Sequence, residues 1–291
     1  MKPAHFEYYD PTNLTEALSL LAKLSEAARP LAGGQSLVPM MNFRLARPSN
    51  LVDLNQVSEL SYLKLQGSEL RIGAMSRQRE LERSRDVAND WPLLQEATHY
   101  IGHVQIRNRG TVGGSLAHAY PAAELPIAMA ALEALFVIRS QSLERVVAAE
   151  DFFLGPMTTT LAPDELLVEI RVPKPPPGTG WAFNEFSRRY GDFALAGVAG
   201  LIALDQRGAI QHARVALSGP KPVRARDAEE FLLGEMPGEA LFTEAGTRAI
   251  KNLDQDADIH ASAEYRREIA GVLVRRALYL AAERAARSGA L

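Results

Sequence analysis

Two glycine pairs are the residues whose types and spacing could do chemistry. The first lies in Ala32-Gly33-Gly34-Gln35-Ser36 and the second in Thr111-Val112-Gly113-Gly114-Ser115. Paired glycines let backbone N–H groups face a ligand with no Cβ in the way. A helix that begins directly after such a loop favours an anion such as a diphosphate. The same pairs are equally compatible with two simple tight turns.

The spacing of these glycines excludes the common nucleotide fingerprints. No G-x-G-x-x-G pattern is present, and no glycine is followed by lysine as in a P-loop. His99 and His103 stand four residues apart, as metal ligands on one helix face would, but Gly102 between them indicates a helix end. We therefore favour a pair of surface or capping histidines, and we predict no metal site. No serine lies in a G-x-S-x-G elbow, so a hydrolase triad has no local support.

The chain has 291 residues and no cysteine. Disulfides, thiol nucleophiles and cysteine-ligated iron–sulfur clusters in this chain are thereby excluded. A net charge of −3 lacks the basic excess of a nucleic-acid-binding protein. The longest apolar run, residues 193–204, is too short to span a bilayer as a helix, and residues 1–10 lack the apolar core of a signal peptide. We expect a cytoplasmic protein without a transmembrane segment.

The elements that must position the glycine pairs alternate between helix and strand. Asn13 and Glu16 form a capping-box pattern before a helical repeat that begins at Leu14. Four prolines and two glycines in residues 173–180 predict a linker and a domain boundary near residue 177. We predict an α+β fold with strands over 51–54, 70–72, 181–189, 193–204 and 210–217, and helices over 91–101, 124–135, 225–233, 241–253 and 264–287.

The ordered motifs resemble a known family. The chain is similar to the FAD-binding middle subunit of molybdenum hydroxylases, the group of carbon monoxide dehydrogenase and xanthine dehydrogenase. The resemblance runs from end to end. It is carried by LAGGQSLVPMMN (31–42), NLVDL (50–54), IGAMS (72–76), VQIRNRGTVGGSLAHAYP (104–121) with Glu124, SRRYGDFALAG (187–197) and EYRREIAGVLVRRA (264–277).

The resemblance implies the fold and its division. Residues 1–177 would form an FAD-binding domain of the vanillyl-alcohol oxidase (PCMH) type, in two subdomains of about 1–56 and 57–177. Residues 178–291 would form a C-terminal domain of the CO dehydrogenase flavoprotein type, with a three-stranded antiparallel sheet and helices. The linker found from composition falls at the same place.

The resemblance also implies cofactor-binding residues. The two glycine loops would hold the diphosphate and ribityl parts of FAD through N–H groups and hydroxyls, Glu124 and Ile101 would lie close to the flavin, Leu167 would pack on adenine, and Phe193 beside Asp192 would cover one flavin face. The loop residues concerned are Ala32, Gly33, Gly34, Gln35, Ser36 and Leu37, with Thr111, Gly113, Gly114 and Ser115.

Two positions depart from the family pattern. Tyr120 stands where many relatives have aspartate, which puts a local hydrogen bond and flavin affinity in question. Asn184 falls near the position where some relatives carry a lysine that contacts adenine, so that contact is not transferred to this chain. No residue is expected to act as a catalytic acid or base, because the flavin carries the redox chemistry.

The function that the resemblance implies is electron transfer. A large molybdopterin subunit would oxidise the substrate, a small subunit with [2Fe–2S] clusters would pass the electrons on, and FAD in this chain would deliver them to an external acceptor. The assembly would be a dimer of heterotrimers without nucleic acid. Two alternatives stand beside it, a stand-alone flavin oxidase of the same fold and a cofactor-free scaffold subunit.

Overall fold

The structure is a computed structural model that describes residues 2–288. Residue 1 and residues 289–291 of the two expected domains lie outside the described residues. The first unit is a three-stranded parallel sheet in the order β1-β3-β2, with two helices as its crossovers. Its elements are β1 (Glu7–Tyr9), α1 (Leu14–Leu24), β2 (Ala28–Leu31), α2 (Leu37–Asn42) and β3 (Asn50–Asp53).

The start of α1 follows the predicted cap. The Glu16 N–H donates to Asn13 Oδ1 at 2.9 Å, and the Glu16 carboxylate accepts from the Thr12 N–H at 3.0 Å. These contacts satisfy two backbone N–H groups at the start of the helix. The helix buries Leu14, Leu18 and Leu21 against the sheet. Loop one, residues 32–36, connects β2 to the short helix α2.

The second unit is a five-stranded antiparallel sheet in the order β4-β5-β10-β6-β7, with a small hairpin of β8 and β9. Its strands are β4 (Leu63–Gln66), β5 (Glu69–Gly73), β6 (Leu135–Arg139), β7 (Glu144–Ala148), β8 (Phe153–Gly155), β9 (Thr158–Thr159) and β10 (Leu166–Pro173). Its helices are α3 (Gln78–Arg83), α4 (Arg85–Asp90), α5 (Pro92–Tyr100), α6 (Val104–Arg109), α7 (Val112–His118), α8 (Glu124–Ala131) and α9 (Ala149–Phe152).

The predicted helix over 124–135 is wrong in its last third. Helix α8 ends at Ala131, Glu133 takes a left-handed turn with φ +53°, and the chain enters β6 at Leu135. All residues of α8 are buried, so their apolar run has no exposed face and no periodicity that marks its end. The β-branched and aromatic side chains that follow pair with β10 and β7.

The third unit is an antiparallel sheet in the order β11-β12-β13-β14. The three expected strands are present, and a two-residue fourth strand extends the edge beside β13. The elements are β11 (Gly180–Phe186), β12 (Ala196–Leu204), β13 (Ile210–Leu217), β14 (Val223–Arg224), α10 (Arg226–Leu232), α11 (Glu239–Ile250) and α12 (Ala263–Ser288). An added Cβ at Gly180 would overlap the carbonyl oxygen of Ala281, so glycine is what lets α12 lie directly on β11.

The third sheet packs on both of its faces. One face shares a core cluster with α5 and α8 through Phe183, Ala199 and Leu201, and the other packs against α10, α11 and α12. Arg284 of α12 also pairs with Glu96 of α5 at 2.7 Å. The C-terminal sheet is therefore fixed next to α8 and its preceding loop. Within residues 2–288, no helix has both the length and the hydropathy to cross a membrane.

Candidate functional site

The two glycine loops, far apart in the sequence, meet in the structure. Loop one (residues 32–36) comes from the parallel sheet, and loop two (residues 111–115) consists of the N-cap Thr111 and the first four residues of α7, so the second glycine pair lies in a helical turn. An added Cβ at Gly33 would overlap the carbonyl oxygen of Arg109, and one at Gly114 would lie 3.3 Å from the Cβ of Ala32. The two backbones therefore approach each other as closely as glycine allows.

Loop one supplies free backbone donors. Among residues 2–288, no acceptor lies within hydrogen-bond reach of the backbone N–H groups of residues 33–37. Gly34 has φ +72°, a conformation that other residues rarely adopt, and the Gln35 amide donates back to the Gly33 carbonyl at 3.0 Å. Consecutive unpaired N–H groups in a loop of this kind can cradle an anion.

Loop two is bonded differently from what the resemblance implies. The Val112 N–H donates to Ser76 O at 3.0 Å, Gly113 to Ala74 O at 2.8 Å, and Gly114 to Thr111 Oγ1 at 3.1 Å. The Ser115 N–H donates to Thr111 O at 3.2 Å. These four N–H groups are already used within the fold, whereas the Thr111 N–H has no acceptor among residues 2–288. Loop two therefore offers one free N–H and the half-buried Ser115 hydroxyl, and most of the free N–H donors lie in loop one.

A side-chain brace holds the two loops together. Asn55 Nδ2 donates to the Ala32 carbonyl at 2.9 Å, and Arg77 donates to Asn55 Oδ1 at 2.7 Å and to the Arg109 carbonyl at 2.5 Å. The sequence reasoning missed Asn55 and Arg77. The available signal was that Asn55 directly follows the NLVDL strand and Arg77 directly follows the IGAMS segment, so that both begin loops beside strands.

A buried ion pair supports Ile101. Arg107, 5% exposed, binds both carboxylate oxygens of Glu82 at 3.0 Å and donates to the Ile101 carbonyl at 2.8 Å. Burial alone would raise the pKa of Glu82, but hydrogen bonds from Arg107 and Arg79 outweigh it and lower the pKa to about 2. The carboxylate is thus ionised at neutral pH and holds Arg107, whose guanidinium donates to the backbone at Ile101.

The two histidines do not share a helix face. Helix α5 ends at Tyr100, and Gly102 turns the chain with φ +43°. His99 approaches the Glu82 carboxylate at 3.1 Å, whereas the His103 ring lies 5.8 Å from that of Tyr190. No cluster of three metal-ligating side chains occurs in the part of the chain that the structure describes. The two histidine side chains therefore have different partners.

Two aromatic residues, Tyr120 and Phe193, line a cavity of about 510 Å³, and no residue of loop one or loop two is among its lining residues. The Tyr120 ring lies 4.5 Å from that of Phe193 and 6.1 Å from that of His118, and Phe193 is 69% exposed. Asp192 pairs with Arg188 at 3.7 Å on the same rim. The structure thus brings Asp192 and Phe193 together with Tyr120, the residue that departs from the family pattern.

The remaining expected site residues occupy different surroundings. Glu124 begins α8 and is 9% exposed, and burial raises its pKa to about 7. Leu167 lies on β10 opposite Ile138, with its side chain in the main core, so its contact with adenine stays a prediction. Asn184 lies on β11, opposite Val198, and is not among the residues that line the cavity.

Two family models together match most of the chain, and relatives match nearly all of it. The family described as "FAD binding domain in molybdopterin dehydrogenase" matches residues 4–175, and the one described as "CO dehydrogenase flavoprotein C-terminal domain" matches residues 181–281. The 6-hydroxypseudooxynicotine dehydrogenase complex subunit alpha of Paenarthrobacter nicotinovorans is 40% identical over 98% of this chain and 97% of its own length. The carbon monoxide dehydrogenase medium chain of Hydrogenophaga pseudoflava is 39% identical over 98% and 100%.

A solved structure agrees with this likeness. The carbon monoxide dehydrogenase of Hydrogenophaga pseudoflava that lacks the Mo-pyranopterin moiety matches with a TM-score of 0.95 and 40% identity, over 98% of this chain and 99% of that chain. The chain therefore belongs to the FAD-binding subunits of the molybdopterin dehydrogenases. Within that class it is a medium subunit of the CO dehydrogenase flavoprotein type, and hence part of an oxidoreductase. This confirms the family and the fold class expected from the sequence.

Proposed function

We propose that this chain takes electrons from [2Fe–2S] clusters in a small partner subunit and passes them through FAD to an external acceptor. A large molybdopterin subunit would oxidise the substrate. The observation that carries the proposal is the row of unpaired backbone N–H groups at residues 33–37, pressed against loop two. Such a cradle suits a diphosphate, which is the part of FAD that most needs fixed donors.

Other side chains would contact the remaining parts of the cofactor. Residues 33–37 would donate to the diphosphate, and the Ser115 hydroxyl would add a further contact. Phe193 would cover one face of the ring system with Asp192 beside it, and Ile101 and Glu124 would border it, while Leu167 would lie towards adenine. When bound, FAD supplies the capacity to accept and release electrons. The protein supplies binding, orientation and exclusion of water.

The absence of cysteine fits a relay role. Iron–sulfur clusters are held by cysteine thiolates, and this chain has none. The clusters would therefore sit in a partner chain, in a cytoplasmic assembly that we propose to be a dimer of heterotrimers. The two relatives compared above are named for chemically unrelated substrates, yet they are 40% and 39% identical to this chain. Substrate choice would accordingly reside in the molybdenum subunit.

The test is co-expression with the two partner subunits. The purified complex should show an oxidised-flavin spectrum that bleaches when the substrate is added anaerobically, and its mass should correspond to two copies of each subunit. An active complex without flavin would contradict the proposal and favour the scaffold alternative. Direct reduction of flavin in the isolated chain by a substrate would favour the stand-alone oxidase.

Removing the brace should weaken FAD binding without unfolding the chain. Asn55→Ala removes the donor to the Ala32 carbonyl and leaves one Arg77 N–H without its acceptor. We expect the Kd for FAD to rise roughly fivefold, since a hydrogen bond of this kind is worth about 1 kcal/mol and 1.4 kcal/mol is a factor of ten. Quenching of flavin fluorescence on titration measures this change.

Asn50→Ala is the matched control for this prediction. Asn50 also donates from its amide to a backbone carbonyl, that of Ala27 at 3.2 Å, but it lies on β3 away from both loops. It should leave the Kd near the wild-type value. Equal affinities for the two variants would show that the brace does not position loop one.

A further inference from the structure

One face of α12 exposes an apolar stripe with a seven-residue spacing. Tyr265, Val272 and Tyr279 are 45%, 41% and 61% exposed, and each of them stands seven residues from the next. Seven residues are close to two full helical turns, so the three side chains lie almost on one line, about 21 Å long. The opposite face of the helix is buried in the core of the third unit, through Val274 and Leu278 among others. The stripe therefore faces away from the body of the chain.

Charged side chains of opposite sign flank the centre of this stripe. Glu268 stands four residues before Val272, and Arg275 and Arg276 stand three and four residues after it, so all of them border the same helix face. The ion pairs of α12 use other residues, and within residues 2–288 none of these three charged side chains forms an ion pair. A face that is acidic on one side of an apolar centre and basic on the other is complementary to its own copy turned end for end.

A groove of about 650 Å³ lies beside the N-terminal half of the stripe, between α11 and α12. Glu264 and Glu268 of α12 line it, together with Thr247 and Lys251 of α11. Tyr265 stands between these two glutamates in the sequence, so the groove opens next to this end of the stripe. Its volume is sufficient for a large side chain from a second molecule.

We propose that this face of α12 binds the same face of a second copy of this chain, with the two helices antiparallel and crossing at Val272. Tyr265 then lies at the level of Tyr279 of the second copy, and the groove beside Tyr265 receives that tyrosine ring. Two-fold symmetry repeats each contact on the other side of the crossing, as in any isologous dimer. The association does not require a cofactor. In the dimer of heterotrimers proposed above, it would join the two copies of this chain directly.

The charges favour the antiparallel orientation. With the helices antiparallel, Glu268 lies at the level of Arg275 and Arg276 of the second copy. In a parallel pair, glutamate would lie at the level of glutamate and arginine at the level of arginine, which like-charge repulsion opposes. Two helices that meet over about four turns bury less area than a standard interface of about 1,600 Å², so we expect a dimer with a Kd in the micromolar range.

Sedimentation velocity of the full chain tests this association. The mass should rise from that of one chain towards that of two as the concentration increases, and Glu268→Arg should raise the dimer Kd at least about tenfold because it opposes arginine with arginine. Adding Arg275→Glu and Arg276→Glu to that variant should restore the association. Glu230→Arg, the same change at an exposed site on α10, is the matched control. A wild-type chain that stays monomeric at roughly 100 μM, far above a micromolar Kd, would overturn the proposal, as would equal Kd values for Glu268→Arg and Glu230→Arg.

Single cysteines report the register, because the chain has no cysteine of its own. Val272→Cys places the thiol at the crossing point and should give a covalent dimer under mild oxidation. Tyr265→Cys alone should remain monomeric on a non-reducing gel, whereas a mixture of Tyr265→Cys and Tyr279→Cys should cross-link. Efficient cross-linking of Tyr265→Cys alone would indicate parallel helices and overturn the proposed arrangement.

The co-expressed complex shows whether the assembly uses the same contact. Val272→Cys should link two copies of this chain there as well. A complex with two copies of each subunit in which Val272→Cys remains unlinked would overturn the second copy as the partner of α12, and would leave the proposed electron transfer through FAD intact. A complex that lacks FAD but still cross-links at Val272→Cys would contradict the proposed function and support the α12 contact.

Discussion

Replacing Gly114 with valine should give a folded protein that no longer retains FAD. An added Cβ at this position would lie 2.5 Å from Thr111 Oγ1 and 3.3 Å from the Cβ of Ala32. The branched side chain would displace the helix cap and separate the two loops. We expect the Kd for FAD to rise by at least about 100-fold, or roughly 2.8 kcal/mol. Flavin absorbance per polypeptide after gel filtration measures the loss.

The fold should survive this change because its clash is with side chains. Loss of the Thr111 cap costs about 1 kcal/mol, which a domain with 5–15 kcal/mol of stability tolerates. At Gly33, by contrast, a Cβ would overlap backbone atoms of Arg109, so that position cannot separate binding from folding. Gly155→Val is the matched control, because nothing lies within 4 Å of a Cβ there. Wild-type flavin content in Gly114→Val would show that loop two is not part of the site.

Arg107→Met should destabilise the chain by about 3 kcal/mol. The variant leaves the Glu82 carboxylate buried with Arg79, at 2.6 Å, as its remaining arginine partner. Removing one member of a buried ion pair typically costs about 3–5 kcal/mol, and the remaining contact favours the lower end. Denaturant unfolding measures the free energy change. The half-buried Arg79 provides the control, since Arg79→Met should cost about 1 kcal/mol or less.

The acid limb of the stability curve should change as well. The pKa of Glu82 is lowered to about 2, so the wild-type pair stabilises the fold above pH 4.5 and loses that contribution as the pH falls towards 2. Arg107→Met should remove most of this dependence. Equal costs for the Arg107 and Arg79 variants, with unchanged acid dependence, would contradict the role assigned to the Arg107 pair.

The sequence predicted the features that are local in the chain. The Asn13 cap, the strand at 210–217 and the turn at Gly34 each depend on neighbouring residues, and the structure reproduces them. The second glycine pair, which was expected in a loop, lies in the first turn of α7. The end of α8 was predicted wrongly because a helix that is buried on all sides shows no alternation of apolar and polar residues that would mark its end. The site as a whole came from the ordered family motifs, since no single motif in the chain is specific.

Long-range polar contacts could not be read from the sequence. Arg77 and Asn55 stand 22 positions apart, and Arg107 and Glu82 stand 25 apart, with no spacing that marks them as partners. The same is true of the hydrogen bonds within loop two, where Ser76 and Ala74 accept N–H groups that the glycine pattern alone would leave free for a ligand. Only the packing of α7 against β5 and β10 makes these carbonyls available.

Because the two loops meet, ligand binding should affect the stability of the contact between the units that carry them. Loop one follows a strand of the parallel sheet, and loop two packs against the antiparallel sheet. A molecule that binds both loops therefore links the two sheets. Its binding then stabilises the folded arrangement of the two sheets, by about 2.7 kcal/mol when the ligand is present at 100 times its Kd. When the cofactor is absent, the parallel and antiparallel sheets lose one connection between them. We therefore expect the empty subunit to be less rigid at this boundary than the loaded one.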